Sequence, residues 1–302
     1  MHLTAAESAG PGSEWASTGA QSLDAWRLRG ATWSRISDTI AEEVPVALQY
    51  NGISHAVMLA TPSDLEDFAV GFSLSEGIVD ACADIHDLEI ECSEKGLTVA
   101  LRIASARFEA LKQRRRSLAG RTGCGLCGVE SLEQAIGPTP LIAAGACSIR
   151  IASAAVLAAV QALRTHQPLH DDTGATHAAG FAEIDGRLVV VREDVGRHNA
   201  LDKLIGALAR ADISRECGFA VVTSRASHEM VSKTARAGIP LLAAVSGVTR
   251  LAAQTAQDAG LCLAGFVRGS DLTVYAHVER IEHEAADQRP CAAARAEAAH
   301  GR

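Results

Sequence analysis

The chain lacks any surplus of positive charge. Its 28 Lys and Arg stand against 36 Asp and Glu, a formal net charge of −8 at pH 7. A general nucleic-acid binder needs a basic surface to meet phosphates, so that class is excluded. A membrane-length apolar run is missing too: residues 141–163 come nearest, and Arg150 and several serines interrupt them. The opening MHLTAAESAGPGSEWASTGAQ has neither the basic start nor the apolar stretch of a secretory leader. There is no GxxxxGK[ST] and no internal repeat, which leaves a P-loop ATPase unsupported. The expectation is a soluble cytoplasmic protein with no nucleic-acid and no membrane partner.

What is present describes a globular chain of one or two domains: 48% hydrophobic and 21% charged residues in a length of 302. Both ends are small, polar and rich in Ala and Gly, and read as disordered tails over residues 1–30 and 283–302. Residues 43–60 hold two extended runs around Asn51-Gly52, a dipeptide suited to a tight hairpin. A helix capped by Thr61 or Ser63 and stopped at Gly77 follows, then strands over 88–103 and a helix ending at Gly120. This first half, 31–137, is expected to be an α+β domain ending in a cysteine loop. From 138 to 282 strands alternate with helices: strands near 188–193, 219–223, 241–245 and 261–267 are each separated by an apolar-periodic segment. That rhythm predicts an α/β domain with a mostly parallel sheet and helices on both faces.

Two constellations carry chemistry. The first is RRRSLAGRTGCGLCG, in which Arg114, Arg115, Arg116 and Arg121 precede Cys124 and Cys127. The chain has eight cysteines but no second CxxC, so Cys124 and Cys127 are only half a zinc site, and no metal is expected. The HxE…PCxxC pattern of zinc deaminases is absent, because Ala178 and Ala179 follow His177. Nearby arginines favour the ionised thiol, and flanking glycines let the loop bend, which points to an exposed reactive thiolate. The arginines could equally decorate a helix C-terminus. Cys217 and Cys262 read as core residues.

The second constellation is a set of loops after the predicted parallel strands: EDVGRHNALDK with Glu193, Asp194, Arg197, His198, Asp202 and Lys203; TSRASHE with Thr223, Ser224, Arg225 and Ser227; Ser246-Gly247; and FVRGSD. Ligands bind outside the carboxyl ends of strands in open α/β sheets, and hydroxyls and arginines there suit a phosphate or nucleotide. Taken singly, Ser227 could cap its helix, Arg225 could pair with Glu229, and Asp202 and Lys203 could form a solvated face. The polar run LHDDTGATHAAG, with His170, Thr176 and His177, reads as a loop entering a strand.

Taken together, GRTGCGLCG, TGATHAAG, EDVGRHNALDKLIG, SRASHEMV and GFVRGSDLTVY, with EEVPVALQYNGISHAVMLATPSDLEDFAVGFSLSEGI before them, resemble the formate dehydrogenase accessory sulfurtransferase family (FdhD). The similarity runs over about residues 43–275. The resemblance implies a cytoplasmic homodimer and an enzyme, a sulfurtransferase with a persulfide intermediate, whose second half is a cytidine-deaminase-like three-layer domain. It would take sulfur from a cysteine desulfurase and pass it to the molybdenum of a bis-molybdopterin guanine dinucleotide cofactor, its cargo, for formate dehydrogenase. Cys124 would carry the persulfide, with Cys127 as its partner. Phe266, Val267, Arg268, Gly269, Ser270 and Asp271 match the family's cofactor-binding segment, and Thr223, Ser224 and Arg225 join them from the neighbouring loop. Asp271 departs from the pattern, standing where members often carry a basic residue. The competing readings are a non-catalytic chaperone that binds and inserts the cofactor, and a zinc-binding regulatory protein.

Overall fold

Residues 19–119, 139–142 and 149–282 are described by the computed structural model of the chain, side chains 114–119 excepted. The segment expected to be a tail to residue 30 holds a strand from Ala20. Strands β1 (Ala20–Arg29) and β2 (Thr32–Ala41) pair in an antiparallel ribbon of their own. Next come β3 (Val44–Tyr50) and β4 (Ile53–Ala60). Asn51 and Gly52 turn between them with φ of 46° and 80°. Two positive φ values in a two-residue turn match the right-handed twist of the flanking strands, and this is what the Asn-Gly pair supplies. Helix α1 (Leu65–Ser75), β5 (Ile85–Ser93), β6 (Gly96–Ile103) and α2 (Ser105–Ala119) complete the first half. Its four strands lie in the order β4-β3-β6-β5.

The second half runs β7 (Ile151–Ala152), α3 (Ser153–Arg164), α4 (Pro168–Thr173), β8 (His177–Glu183), β9 (Leu188–Asp194), α5 (Arg197–Arg210), β10 (Gly218–Val222), α6 (His228–Arg236), β11 (Leu241–Ala244), α7 (Arg250–Ala259), β12 (Cys262–Arg268), β13 (Asp271–Ala276) and β14 (Ile281–Glu282). Six strands form one sheet in the order β13-β12-β11-β10-β8-β9. Parallel pairing is confined to its centre, β10-β11-β12; β8, β9 and β13 pair antiparallel on the flanks. The reason is connection length. Hairpin-length links join β8 to β9 and β12 to β13, whereas helices α6 and α7 cross between the central strands.

Every residue of β10 is buried, as expected of a strand covered on both faces. Phe219 and Val221 pack with Val156, Val160 and Leu163 of α3, while Ala220 and Val222 join the core under α5, α6 and α7. That second core does not stop at the helices. It runs on through Phe68 and Leu74 of α1 to Val46, Leu48, Val99 and Leu101 of the smaller sheet. The two halves are therefore joined by one hydrophobic core, with α1 as the shared element.

Helix α1 is buried almost all round, and its contact with α5 is set by two glycines. A Cβ on Gly71 would fall 1.7 Å from the carbonyl oxygen of Asp202, and one on Gly206 would fall 1.8 Å from that of Asp67. Backbone meets backbone here, so no rotamer change can make room. The polar residues on these helices follow the same logic of burial with a partner. The carboxylate of Asp67 receives Arg192 at 2.7 Å and Arg210 at 2.6 Å.

Gly71→Ala and Gly206→Ala should each lower the unfolding free energy by about 3 kcal/mol or leave no soluble protein, because overpacking against backbone cannot relax locally. Urea denaturation followed by circular dichroism measures this, and a loss below about 1 kcal/mol would refute the helix contact as described.

Candidate functional site

Strands β10, β11 and β12 point the same way, so their carboxyl ends open onto one edge of the sheet. Antiparallel β8 brings its amino end to that edge. Thr223, just past β10, receives the Ala178 amide on Oγ1 at 2.9 Å. Here lies a cavity of about 560 Å³ lined by Arg164, Gln167, His170, Thr176, His177 and Thr223, with Val245 at its wall. The loop carrying His170 and Thr176 is pinned from below by Glu193. Its carboxylate accepts the amides of Leu169 (2.9 Å) and His170 (2.8 Å) and the Thr176 hydroxyl (2.9 Å). His170 in turn holds the Thr176 carbonyl through Nδ1 at 2.9 Å. The pKa of the His177 imidazole is lowered, chiefly by burial and then by the charges of Arg197 and His170, with Asp194 opposing. A cavity with this rim of imidazole, guanidinium and hydroxyl suits an anionic ligand.

The run LHDDTGATHAAG, expected to be a loop entering a strand, is instead the body of α4 and the start of β8 with residues 174–176 between them, and it forms the floor of the cavity. No signal within the sequence could have found it: His177 of β8 and Thr223, just past β10, meet because the two strands are neighbours, which the sequence does not reveal.

The polar loop EDVGRHNALDK divides differently from expectation. Asp202 and Lys203 are not a solvated face; both are buried and structural. Lys203 Nζ lies 2.7 Å from Asp194 Oδ2, 2.6 Å from the Thr61 hydroxyl and 3.1 Å from its carbonyl. Asp194 also accepts the amides of Thr61 (3.0 Å) and Gly196 (2.8 Å) and the Asn199 side chain (2.9 Å). Burial draws the Lys203 ammonium below its ordinary pKa, against the pull of Asp194. Thr61, expected to cap α1, instead ties the end of β4 to the second half; the cap position is Asp64, with no side-chain bond. Asp202 meets Lys233 at 2.9 Å and the Ser75 hydroxyl at 2.6 Å. A buried charge needs such a partner set.

Of the residues assigned to binding, Thr223 opens into the cavity, the Ser224 hydroxyl donates to the Arg225 carbonyl at 3.0 Å, and Arg225 is exposed. Glu229 does not take Arg225; it faces His198 Nε2 at 3.2 Å. Ser227 is the cap of α6, accepting the Met230 amide. Phe266, Val267, Arg268, Gly269, Ser270 and Asp271 form the end of β12 and its turn into β13, one strand beyond β11. Arg268 reaches to the end of β11 and donates through Nε to the carbonyl of Val245, the residue at the cavity wall, at 2.9 Å. Phe266 sits at a β-bulge with φ of 51°, a costly conformation for an aromatic residue, and the residue is 48% exposed. A Cβ on Gly247 would come within 3.1 Å of that ring, so the glycine gives the aromatic its seat. Val267 points the other way and is wholly buried. The Ser270 hydroxyl bonds Asp271 Oδ1 at 3.1 Å.

Cys124 and Cys127 lie outside the described residues. The described chain stops with α2 at Ala119 and returns at Thr139, whose hydroxyl is 2.9 Å from that of Ser232 on α6. Cys262 is buried as expected, its thiol pushed up to about 12 by burial, whereas Cys217 is exposed, contrary to its reading as a core residue.

Comparison with known proteins gives a consistent result. Residues 41–282 match the FdhD/NarQ family. The sulfur carrier protein FdhD of Bordetella parapertussis is 56% identical over 257 residues, covering 84% of this chain and 92% of that one. The sulfur carrier protein FdhD of Cupriavidus necator is 57% identical over 249 residues, covering 82% of this chain and 85% of that one. Among solved structures, a candidate formate dehydrogenase accessory protein from Desulfotalea psychrophila superimposes with a TM-score of 0.66 over 87% of this chain and 99% of that one. At 23% identity, this is a likeness of fold.

Two expectations test the site. In an NMR titration His177 should ionise below the ordinary imidazole value of 6.5. Arg197→Gln should move it upward, since a neighbouring cation disfavours the imidazolium; a wild-type value at or above 6.5 would overturn the description. Lys203→Met should cost about 3 kcal/mol in urea denaturation, because it leaves the Asp194 carboxylate buried without its counter-charge.

Proposed function

The chain belongs to the FdhD/NarQ family, and on that footing we propose that it is a sulfur carrier serving formate dehydrogenase. The likeness to proteins named sulfur carriers over more than four-fifths of the chain supports the reading most strongly. Its chemistry is that of a sulfurtransferase working in the cytoplasm as a homodimer. The Cys124 thiolate attacks the outer sulfur of a persulfide on a cysteine desulfurase; the donor S–S bond breaks and the donor leaves as a thiolate. Cys124 then carries the persulfide. Attack of the Cys127 thiolate on the Cys124 sulfur closes a disulfide and expels the outer atom as hydrosulfide, the two thiols supplying both electrons. A cytoplasmic dithiol resets the pair. The hydrosulfide passes to the molybdenum of a bis-molybdopterin guanine dinucleotide, which is cargo.

The sheet edge offers this cargo a fitting berth. An exposed aromatic at Phe266 suits a flat base, and Arg268 and the Ser270 hydroxyl suit its phosphates. The cavity beside Thr223 adds Arg164, His170 and His177 to the anion's surroundings. The acidic side chain of Asp271 would repel a phosphate, so contact there is through backbone, and buried Val267 likewise contributes only backbone.

Incubation with a cysteine desulfurase and cysteine should place one extra sulfur on Cys124, seen by peptide mass spectrometry. Cys124→Ala should abolish activation of formate dehydrogenase, and full activation by that variant would sink the proposal. Cys127→Ser should accumulate the Cys124 persulfide without releasing sulfide. Arg268→Ala should weaken binding of guanosine diphosphate about tenfold by calorimetry, the loss of one charge-assisted contact.

A further inference from the structure

The ribbon β1–β2 is out of keeping with the rest of the chain. Each strand is ten residues long, and neither contains a single buried residue. An isolated two-stranded ribbon is marginal in water, because its apolar side chains have nothing to cover them. Among the described helices only the short α4, at the ribbon's base, packs closely on it, through Leu169 against Gly19. Direct partners in an antiparallel pair share a face, so the pairs Trp26–Arg35 and Leu28–Trp33 stand together near the tip. Trp26 is 68% exposed, Leu28 50% and Trp33 61%. Two tryptophans and a leucine on one open face are the composition of an interface anchor, not of a solvated strand.

A second open face lies elsewhere on the same chain. Helix α1 covers one side of the four-stranded sheet, where Val46, Leu48, Val99 and Leu101 are buried. On the other side the register sets Leu59 opposite Pro45 and Val57 opposite Ala47, with Val57 62% and Leu59 55% exposed. Thr98 and Ala100 of β6 continue this side, and β5 closes it with Glu91 and Glu89 opposite them and Asp87 opposite Arg102. The face thus runs from apolar at β4 to acidic at β5. Within the ribbon, Arg27 pairs with Asp38 and Arg35 with Asp24, while Arg29, beside the turn, has no ion-pair partner among the described residues.

We infer that the β1–β2 ribbon of one copy lies across the open face of the four-stranded sheet of a second copy, and reciprocally. This rests on the homodimer reading above and assigns its surface. Trp26, Leu28 and Trp33 cover Val57 and Leu59; Arg29 alternates to the other face of the ribbon but, as its last residue before the turn, reaches round the tip to the acidic strand β5. A two-fold axis makes the contact twice, so both exposed faces of each chain are satisfied by one kind of encounter. No other single partner would have to match both.

Analytical ultracentrifugation of the full chain tests this. The wild type should sediment as a dimer at micromolar concentration, and Trp26→Ser with Trp33→Ser should raise its dissociation constant at least about thirtyfold. Val57→Lys should do the same from the other side. Arg29→Glu should weaken the dimer, and adding Glu89→Arg and Glu91→Arg to that chain should restore it. All these positions are exposed, so the far-ultraviolet circular dichroism of each variant should stay that of the wild type. A wild-type monomer would overturn both this contact and the homodimer reading. A dimer indifferent to the ribbon and sheet variants would overturn the contact alone.

Discussion

The close crossing of α1 on α5 is the constraint that the rest of the molecule depends on. Gly71 and Gly206 let two peptide backbones meet where any side chain would collide. With the helices that close, one hydrophobic core can run from the small sheet, through α1, to the six-stranded sheet. The second half cannot drift against the first without opening that core. This fixes the end of β4 beside β9 and so brings Thr61 within reach of Asp194 and Lys203. The buried ion pairs follow from the crossing. Their specific geometry, with each carboxylate and ammonium supplied with several partners, is what makes charges tolerable in such a place.

The site at the sheet edge inherits its order from this frame. Glu193 and Asp194 are adjacent at the end of β9 and serve opposite directions. Asp194 looks inward to the ion pair, and Glu193 looks outward to hold the loop that carries His170 and Thr176. The short helix α4 and the turn that follows it therefore line the cavity with little freedom. The strained backbone at Phe266 is a second instance of this arrangement. A bulge and the bare backbone of Gly247 present an aromatic ring to solvent that an ordinary strand would have turned into the core. Such cost at a sheet's carboxyl edge agrees with a binding surface.

Much of the architecture was legible in the residues. The Asn51-Gly52 hairpin, the helix from 105 to 119 and the alternation of strands and helices after residue 188 stand where propensity, turn chemistry and apolar period place them. The ribbon from Ala20 to Ala41 was not legible: β1 falls within the expected tail of residues 1–30, and neither strand has the buried face that marks a strand in a sequence. The antiparallel flanks of the sheet were missed for a related reason. Strand direction depends on which strands become neighbours, and periodicity within one strand carries no trace of that.

By itself the sequence determined the local elements, the polar character of the strand-end loops and the cysteine pair, since each follows from residue type and spacing over a few positions. Only the tertiary structure decided which polar residues are structural and which face a cavity. Asp202 and Lys203 look as solvated on paper as Arg164 and His170. The two are separated by whether the glycine-mediated crossing encloses them or the sheet edge leaves them open. That is a matter of contacts more than a hundred residues apart, such as Lys203 with Thr61, and spacing along the chain cannot encode it.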